Sequence, residues 1–171
     1  MTTTKKELTQ PILGTPNDTN TYHFMDEKVT ILVSGEDTNG EFAVLNIKKL
    51  ANQSPPPHIH SKEKEVFDVK RGTITFFVGN DVIKAKEGDV VVAPAGVKHT
   101  FVTGPEGAEF NVTAYPAGFD SFVKAVGIPV EADAPMPKLE PITEEQMIGL
   151  ITAAKPFGIS FPDIEKEMSK N

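Results

Sequence analysis

Short strand-like segments, separated by turn residues, follow one another through the middle of the chain. Residues 73–78 (TITFFV) lead through the turn 79–81 (GND) into 82–86, and the turn 87–89 (EGD) leads into 90–93. Two further strands are predicted at 98–102 and 108–114, on either side of a Gly/Pro loop at 103–107. Strands of about five residues with turns at nearly regular intervals are typical of antiparallel sandwiches and barrels. The sequence therefore predicts an all-β fold.

Three earlier segments extend this strand pattern. Residues 21–24 are predicted to form a strand, and so are residues 28–34, where Val29, Ile31 and Val33 alternate as in a half-buried strand. Residues 41–50 (EFAVLNIKKL) are a third candidate. A helix is the alternative there, but the β-branched neighbours and flanking turns favour a strand.

After residue 115 the spacing of apolar residues becomes helical. In 118–126, apolar side chains recur at Phe119, Phe122, Val123 and Val126, and Gly127 suits the end of a helix. Residues 129–141 contain four prolines and are predicted to be a linker packed on the surface. Thr143 and Gln146 form a capping-box pattern that begins a helix ending near residue 154. Its predicted apolar side is Met147, Ile148, Leu150 and Ile151.

Length and composition favour one domain and exclude several classes of site. A chain of 171 residues, 39% of them hydrophobic, can bury one sizeable core. We predict an N-terminal arm at 1–20, a barrel at 21–115 and a C-terminal helical segment at 116–171 packed on that barrel. The net charge of −7 argues against nucleic-acid binding. The absence of cysteine excludes disulfides, thiolate metal sites and cysteine nucleophiles.

The location expected from the sequence is the cytoplasm. The opening MTTTKKELTQ has positive charge but no apolar segment of the kind that a secretory signal requires. No apolar run approaches the length of a membrane span, so no membrane partner is expected.

Three of the four histidines can converge on one point. His58 and His60 are two residues apart, so in a strand both point to the same face, and Glu65 can enter a paired strand beside them. His99 begins a later strand whose inward face also carries Phe101. Three imidazoles and a carboxylate suit one divalent transition metal: Fe, Mn, Co, Ni, Cu or Zn. The fourth histidine, His23, is expected to be an ordinary polar strand residue.

These spacings resemble the two motifs of the cupin family. The first motif begins with His-x-His, continues with Glu after three or four intervening residues, and ends with Gly after six more. It matches His58, His60, Glu65 and Gly72. The second motif begins with Gly and continues with Pro-x-Gly after five intervening residues. His follows after two more residues, and Asn after three more. It matches Gly88, Pro94, Gly96 and His99. Thr103 replaces the usual Asn, and Asn52 replaces the Gly that opens the first motif. Both replacements are expected at turn positions.

The resemblance implies a cupin jelly-roll barrel (a double-stranded β-helix) with C-terminal helices packed outside. It implies His58, His60, Glu65 and His99 as metal ligands. Glu65 is chosen over Glu63 because only Glu65 has six residues between itself and Gly72, and Glu63 is then predicted to be a solvated turn residue. Glu65 is also the predicted catalytic residue, and whether it is a permanent ligand or a general base stays open.

Longer segments are similar to the quercetin 2,3-dioxygenase-like single-domain cupins. They are PPPHIHSKEKEVFDVKRGTITFFVG, APAGVKHTF, PAGFDSF and PITEEQMIGLITAAKPFGISFP. This similarity implies a metal-dependent dioxygenase that cleaves a flavonol-like or other enolisable aromatic substrate with O₂, and it implies a homodimer. Phe67, Phe76 and Phe101 would line the substrate pocket or belong to the plain core. The alternatives are a metal-dependent isomerase, lyase or decarboxylase acting on a small metabolite, and a non-catalytic cupin that binds small molecules.

Overall fold

The chain folds into antiparallel strands followed by helices, as seen for residues 8–170, which the computed structural model describes. The strands are β1 (Thr21–Phe24), β2 (Glu27–Val33), β3 (Ala43–Lys49), β4 (Ile59–His60), β5 (Lys64–Val78), β6 (Asp81–Lys86), β7 (Val90–Ala93), β8 (His99–Tyr115), β9 (Ile128–Pro129) and β10 (Ile159–Ser160). The helices are α1 (Phe119–Val126), α2 (Glu144–Ala154) and α3 (Pro162–Met168), with a 3-10 helix at Lys155–Phe157. The all-β fold class is confirmed. Residues 1–7 of the predicted arm lie outside the described residues, and the three-part division of the chain stays a prediction.

Two long strands, β5 and β8, organise the main sheet. Its order is β6-β5-β8-β3-β2-β1-β9, and β7 also pairs with β5. The register between β5 and β8 shifts between Val69 and Arg71 and again between Gly72 and Ile74. Gly72 lies in this region with φ +81°, and a Cβ atom there would be 2.2 Å from the carbonyl oxygen of Gly107. Only glycine fits this close approach of two backbones, which explains the glycine that ends the first motif.

The predicted loop at 103–107 is wrong, because β8 continues through it. Thr103 pairs with Ile74, and Ala108 pairs with Gly72, so both ends of the segment remain in register with β5. Gly107, with φ +74°, belongs to the irregular stretch between these pairs. Pairing with a long partner strand therefore overrides the local preference of Gly and Pro for a turn.

The C-terminal segment packs against the strands and returns to the site. Thr143 and Gln146 form the predicted capping box at the start of α2. Ile151 is buried in α2, whereas Ile148, predicted on the apolar side, is 42% exposed. Beyond the 3-10 helix, β10 pairs with β4, the short strand that ends at His60. Within residues 8–170, none of the helices has the length and apolar character that a membrane span needs.

Candidate metal centre

Four side chains from three parts of the chain meet inside the β structure. His58, His60, Glu65 and His99 each offer one ligand atom, and these atoms lie within 4.8 Å of one another. His60, Glu65 and His99 are almost fully buried, and His58 is half-buried. His23 lies apart from this cluster: its Nε2 is 2.8 Å from the carbonyl oxygen of Pro135.

Backbone hydrogen bonds hold the two motifs together. His58 and His99 form an isolated antiparallel bridge, with N–H···O distances of 3.0 and 2.9 Å in the two directions. The amide of Gly96, in the turn before His99, donates to the carbonyl oxygen of His60 at 2.8 Å. Two histidine-bearing segments that are about forty residues apart in sequence are thus joined directly, and the histidine positions depend on regular backbone pairing rather than on a free loop.

Each histidine donates its Nδ1–H away from the cluster. The acceptors are the carbonyl oxygen of Pro56 for His58 (2.8 Å), Glu63 Oε2 for His60 (2.7 Å) and the carbonyl oxygen of Val97 for His99 (3.0 Å). A carbonyl or carboxylate oxygen can only accept, so the proton of a neutral ring is on Nδ1. In that tautomer Nε2 carries the lone pair that a metal ion would bind, in place of the hydrogen bond that His99 Nε2 makes to Glu65 Oε2, and such acceptors at Nδ1 are usual for metal-binding histidines.

Glu63 is a buried supporting residue, so its prediction as a solvated turn residue is wrong. Its side chain is 3% exposed. One carboxylate oxygen accepts from His60 Nδ1, and the other accepts from the backbone amide of Phe119 at the start of α1, at 2.7 Å. Glu63 therefore connects the orientation of a candidate ligand to the position of a helix. The sequence signal was the three-residue interval between His60 and Glu63 within one turn.

The cluster has the charge distribution of a prepared cation site. Burial, together with the charges of His99 and His60, lowers the pKa of His58 to about 3, so this imidazole is neutral at pH 7. Burial raises the pKa of Glu65, but the charge of His60 and the hydrogen bond from His99 outweigh burial and lower the pKa to about 2. Glu65 Oε2 is 2.9 Å from His99 Nε2 and 3.5 Å from His60 Nε2.

The surroundings of His60 favour its protonated form. Burial lowers the pKa of His60, but the carboxylates of Glu65 and Glu63 outweigh burial, so the pKa lies above its ordinary value. A divalent cation would replace this proton as the partner of Glu65.

The donor set and its spacing fit a divalent transition metal. Histidine and carboxylate ligand atoms lie about 2.0–2.2 Å from a bound ion, so two of them on opposite sides of the ion are at most about 4.4 Å apart. The four ligand atoms of this cluster lie within 4.8 Å of one another, which is close to that limit. Three imidazoles with one carboxylate are donors that Fe, Mn, Co, Ni, Cu and Zn accept. The structure therefore shows a cluster able to hold a metal ion at the predicted positions.

An apolar cavity of about 50 Å³ adjoins the cluster, and His58, His60 and Glu65 form part of its wall. The phenylalanines that line it are Phe24, Phe67, Phe101, Phe119, Phe122 and Phe161. Phe67 and Phe101 thus reach the cavity, and their role in substrate binding stays a prediction. Phe76 does not reach the cavity: it is 1% exposed and packs behind them, with its ring centroid 5.0 Å from that of Phe67 and 5.8 Å from that of Phe101. Phe76 therefore lies in the core, which is the alternative that the sequence had left open for it.

The sequence analysis missed a charged residue of the cavity wall, Glu27, and its buried ion-pair partner, Lys49. Glu27 lines the cavity and is 5% exposed. Lys49, fully buried, lies opposite Glu27 in the pairing of β2 with β3, and its Nζ is 3.0 Å from Glu27 Oε1. A sequence signal existed, because Glu27 is in phase with the inward-facing Val29 and Ile31.

The two departures from the family motifs have local explanations. Asn52 has φ +57°, a left-handed conformation that asparagine tolerates better than most residues, so it can replace the motif glycine. Thr103 lies inside β8 rather than in the expected turn. Its hydroxyl donates to the carbonyl oxygen of Leu50 at 2.6 Å and accepts from the amide of Gln53 at 3.0 Å. These two hydrogen bonds thus connect β8 to residues 50–53, which precede His58 in the chain.

Similarity to known proteins agrees with this architecture. Residues 49–114 match the family model described as Cupin domain, and this range contains all four cluster residues. A Streptomyces PAC13 variant solved with uridine is similar at 13% identity and a TM-score of 0.54, over 63% of this chain and 84% of that chain. KdgF from Halomonas sp. is similar at 17% identity and a TM-score of 0.51, over 56% and 85%. An RmlC-like cupin from Shewanella frigidimarina is similar at 23% identity and a TM-score of 0.50, over 57% and 83%.

The match of residues 49–114 supports the cupin superfamily, whereas the solved structures, at such low identity, show the fold alone. Together they confirm the predicted cupin jelly-roll fold. The probable oxidoreductase virH of Hypocrea virens is 39% identical over 70 residues, which are 39% of this chain. The aligned region spans only 32% of that relative's length.

Proposed function

We propose that this chain is a metal-dependent oxidoreductase that uses O₂ to cleave a small, enolisable substrate, as quercetin 2,3-dioxygenase-like cupins do. The observation that carries the proposal is the cluster of three histidines and Glu65, which opens onto an apolar cavity. The similarity to a probable oxidoreductase is consistent with this reaction class.

The residues have separable roles in this proposal. The three histidines and Glu65 would hold a divalent ion, which would supply Lewis acidity toward the anionic oxygen of the substrate. Glu65, ionised and buried beside the cluster, accepts the proton of the substrate hydroxyl and then hydrogen-bonds to the bound substrate. The rings of Phe67 and Phe101 keep water from the electron-rich substrate, and O₂ is the oxidant.

The size of the cavity favours a compact substrate over a flavonol. Pockets that hold drug-sized ligands have volumes of roughly 300–1,000 Å³. The cavity here has about 50 Å³ and is walled on one side by Ile159 and Phe161 of the C-terminal segment. A flavonol requires this segment to move outward, whereas a single-ring hydroxyketone requires much less movement.

Oxygen uptake with a substrate panel tests this function. The purified chain is loaded with each divalent metal in turn and mixed with quercetin, with single-ring hydroxypyranones and with β-diketones. We expect O₂ consumption with at least one metal and one enolisable substrate. The absence of turnover with every combination would refute the dioxygenase proposal.

Replacing Glu65 by Gln separates its two possible roles. If Glu65 is the base, the rate falls about 100-fold or more while the metal content per chain changes little. An equal loss of rate and of metal content would show that Glu65 serves chiefly as a ligand.

The second candidate is a metal-dependent isomerase, lyase or decarboxylase acting on a small metabolite. The small cavity favours it, because such reactions use the same metal site on compact substrates without O₂. Activity that persists under nitrogen with the same metal would select this candidate over the dioxygenase.

We also propose that the chain acts as a homodimer, as the family resemblance implies. Exposed apolar side chains on the outer faces of β6 and β7 support this proposal: Val82, Val90 and Val92. Light scattering coupled to size-exclusion chromatography should give twice the chain mass, and the V92E variant should shift it toward the monomer. A monomeric wild-type protein would refute the proposal. The cytoplasmic location stays a prediction.

A further inference from the structure

A buried ion pair lies in the cavity wall beside the candidate metal centre. Glu27 and Lys49 face each other across β2 and β3, and Glu27 lines the same cavity as His58, His60 and Glu65. Among the described residues that line this cavity, Glu27 is the one charged side chain outside the four candidate ligands. The remaining wall is almost entirely apolar.

The carboxylate of Glu27 is held firmly at one oxygen and has acceptor capacity left at the other. Lys49 Nζ is 3.0 Å from Oε1, and the same ammonium also pairs with Asp26 Oδ1 at 2.5 Å. The oxygen that accepts the hydrogen bond from Lys49 is Oε1. A carboxylate can accept about four hydrogen bonds, so this group has room for a ligand donor.

Burial of such a group is unfavourable unless a partner satisfies it. Burial raises the pKa of Glu27 despite the opposing effect of Lys49, which reflects the missing hydration. Glu27 lines the space that adjoins the metal cluster.

We propose that Glu27, held in place by Lys49, is the second polar anchor of the substrate and accepts a hydrogen bond from a substrate hydroxyl. The inference rests on the proposed function, because the first anchor is the enolate oxygen at the metal cluster. It narrows the substrate class to compact enolisable hydroxyketones that carry a separate hydroxyl group. A substrate analogue without this hydroxyl would leave the buried carboxylate without a partner, and sites of this type discriminate strongly against such analogues.

Two small chelators that differ in one hydroxyl test the proposal by binding alone. Kojic acid is a hydroxypyranone with a hydroxymethyl group, and allomaltol has a methyl group in that place. Titration calorimetry with the metal-loaded protein, without O₂, gives the dissociation constant of each. We expect kojic acid to bind about tenfold more tightly, a difference of about 1.4 kcal/mol.

Variants assign the preference to Glu27. Glu27→Leu removes the acceptor and should bring the two dissociation constants within about twofold of each other. The matched control is Glu109→Leu, because Glu109 also pairs with a lysine, Lys48, but on the exposed face of the sheet. This control should keep the full preference. If Glu27→Leu does not fold, Glu27→Gln replaces it, and the preference should fall severalfold because a neutral amide accepts a weaker hydrogen bond.

The outcomes separate this inference from the proposed function. Tight, metal-dependent binding of both chelators with no preference in the wild-type protein would overturn the role of Glu27 and leave the metal-based function standing. A preference that survives Glu27→Leu would also overturn it. If neither chelator binds the metal-loaded protein, the proposed function fails, and the inference fails with it.

Discussion

Replacing Glu63 by Gln perturbs the candidate metal centre without touching any of its four ligands. Glu63 accepts one hydrogen bond from His60 Nδ1 and one from the amide of Phe119, both at 2.7 Å, and is 3% exposed. A glutamine of the same shape has one acceptor oxygen and one NH₂ group. Whichever way the amide turns, its NH₂ group points at one of the two donors.

The expected losses follow from this mismatch. One hydrogen bond involving a charged group is lost inside the protein, which lowers the free energy of unfolding by about 1.5–3 kcal/mol. The ring of His60 also loses the negative charge that fixes its tautomer and raises its basicity. Loss of such a supporting partner typically weakens metal affinity about 10–100-fold, or about 1.4–2.8 kcal/mol.

Two measurements check these losses. Calorimetric titration of the metal-free protein with each divalent metal gives the affinity, and urea unfolding of the metal-free protein gives the stability. Glu87→Gln is the control, because Glu87 is an exposed glutamate in a turn and should change neither value. Metal affinity within twofold of the wild type, together with unchanged unfolding, would refute the supporting role of Glu63.

Three further predictions concern pH and backbone geometry. The amide and hydroxyl of Ser34 donate to Asp37 and lower its pKa. The stabilisation from these hydrogen bonds is present above the ordinary pKa of Asp37 and is lost as the pH falls through the lowered pKa. D37N should therefore lower the urea midpoint at neutral pH, and the difference between the midpoints of variant and wild type should vanish in strong acid. G72A places a Cβ atom 2.2 Å from the carbonyl oxygen of Gly107 at φ +81°, and should lower the free energy of unfolding by about 2 kcal/mol or more in thermal unfolding. Because the pKa of His60 is raised, metal binding should release a proton, and the metal affinity should increase as the pH rises toward that pKa. A measured binding enthalpy that does not change with the ionisation enthalpy of the buffer would contradict the proton release.

The histidines among the candidate ligands could be predicted from local patterns, whereas Glu65 was chosen over Glu63 through the resemblance to the cupin motif. His58 and His60 are two residues apart, and a strand places such residues on one face whatever surrounds them. The turn residues Pro94 and Gly96 fix the start of the strand that begins at His99. Glu63 could not be placed in this way. Its burial depends on the amide of Phe119, which is 56 positions away in the chain and belongs to a helix packed from outside.

Other errors arise from long-range pairing. The Gly/Pro segment at 103–107 has the composition of a loop, yet β5 holds both of its ends in one strand. The two residues of β10 are too few to predict a strand, and they form one because β4 provides a partner. For Glu27 the sequence did contain a signal. Alternation with Val29 and Ile31 places its carboxylate inward, and a charged residue in phase with core residues indicates a buried polar site.

In the proposed function, the size of the substrate depends on where the C-terminal segment returns to the barrel. Ile159 and Phe161 close one side of the cavity, and β10 is hydrogen-bonded to the strand that positions His60. Outward movement of this segment would enlarge the cavity, but it would also break the pairing that holds a candidate ligand. The geometry of the metal cluster and the size of the substrate are therefore coupled through β4. This coupling favours compact substrates, because they can bind while β10 stays paired.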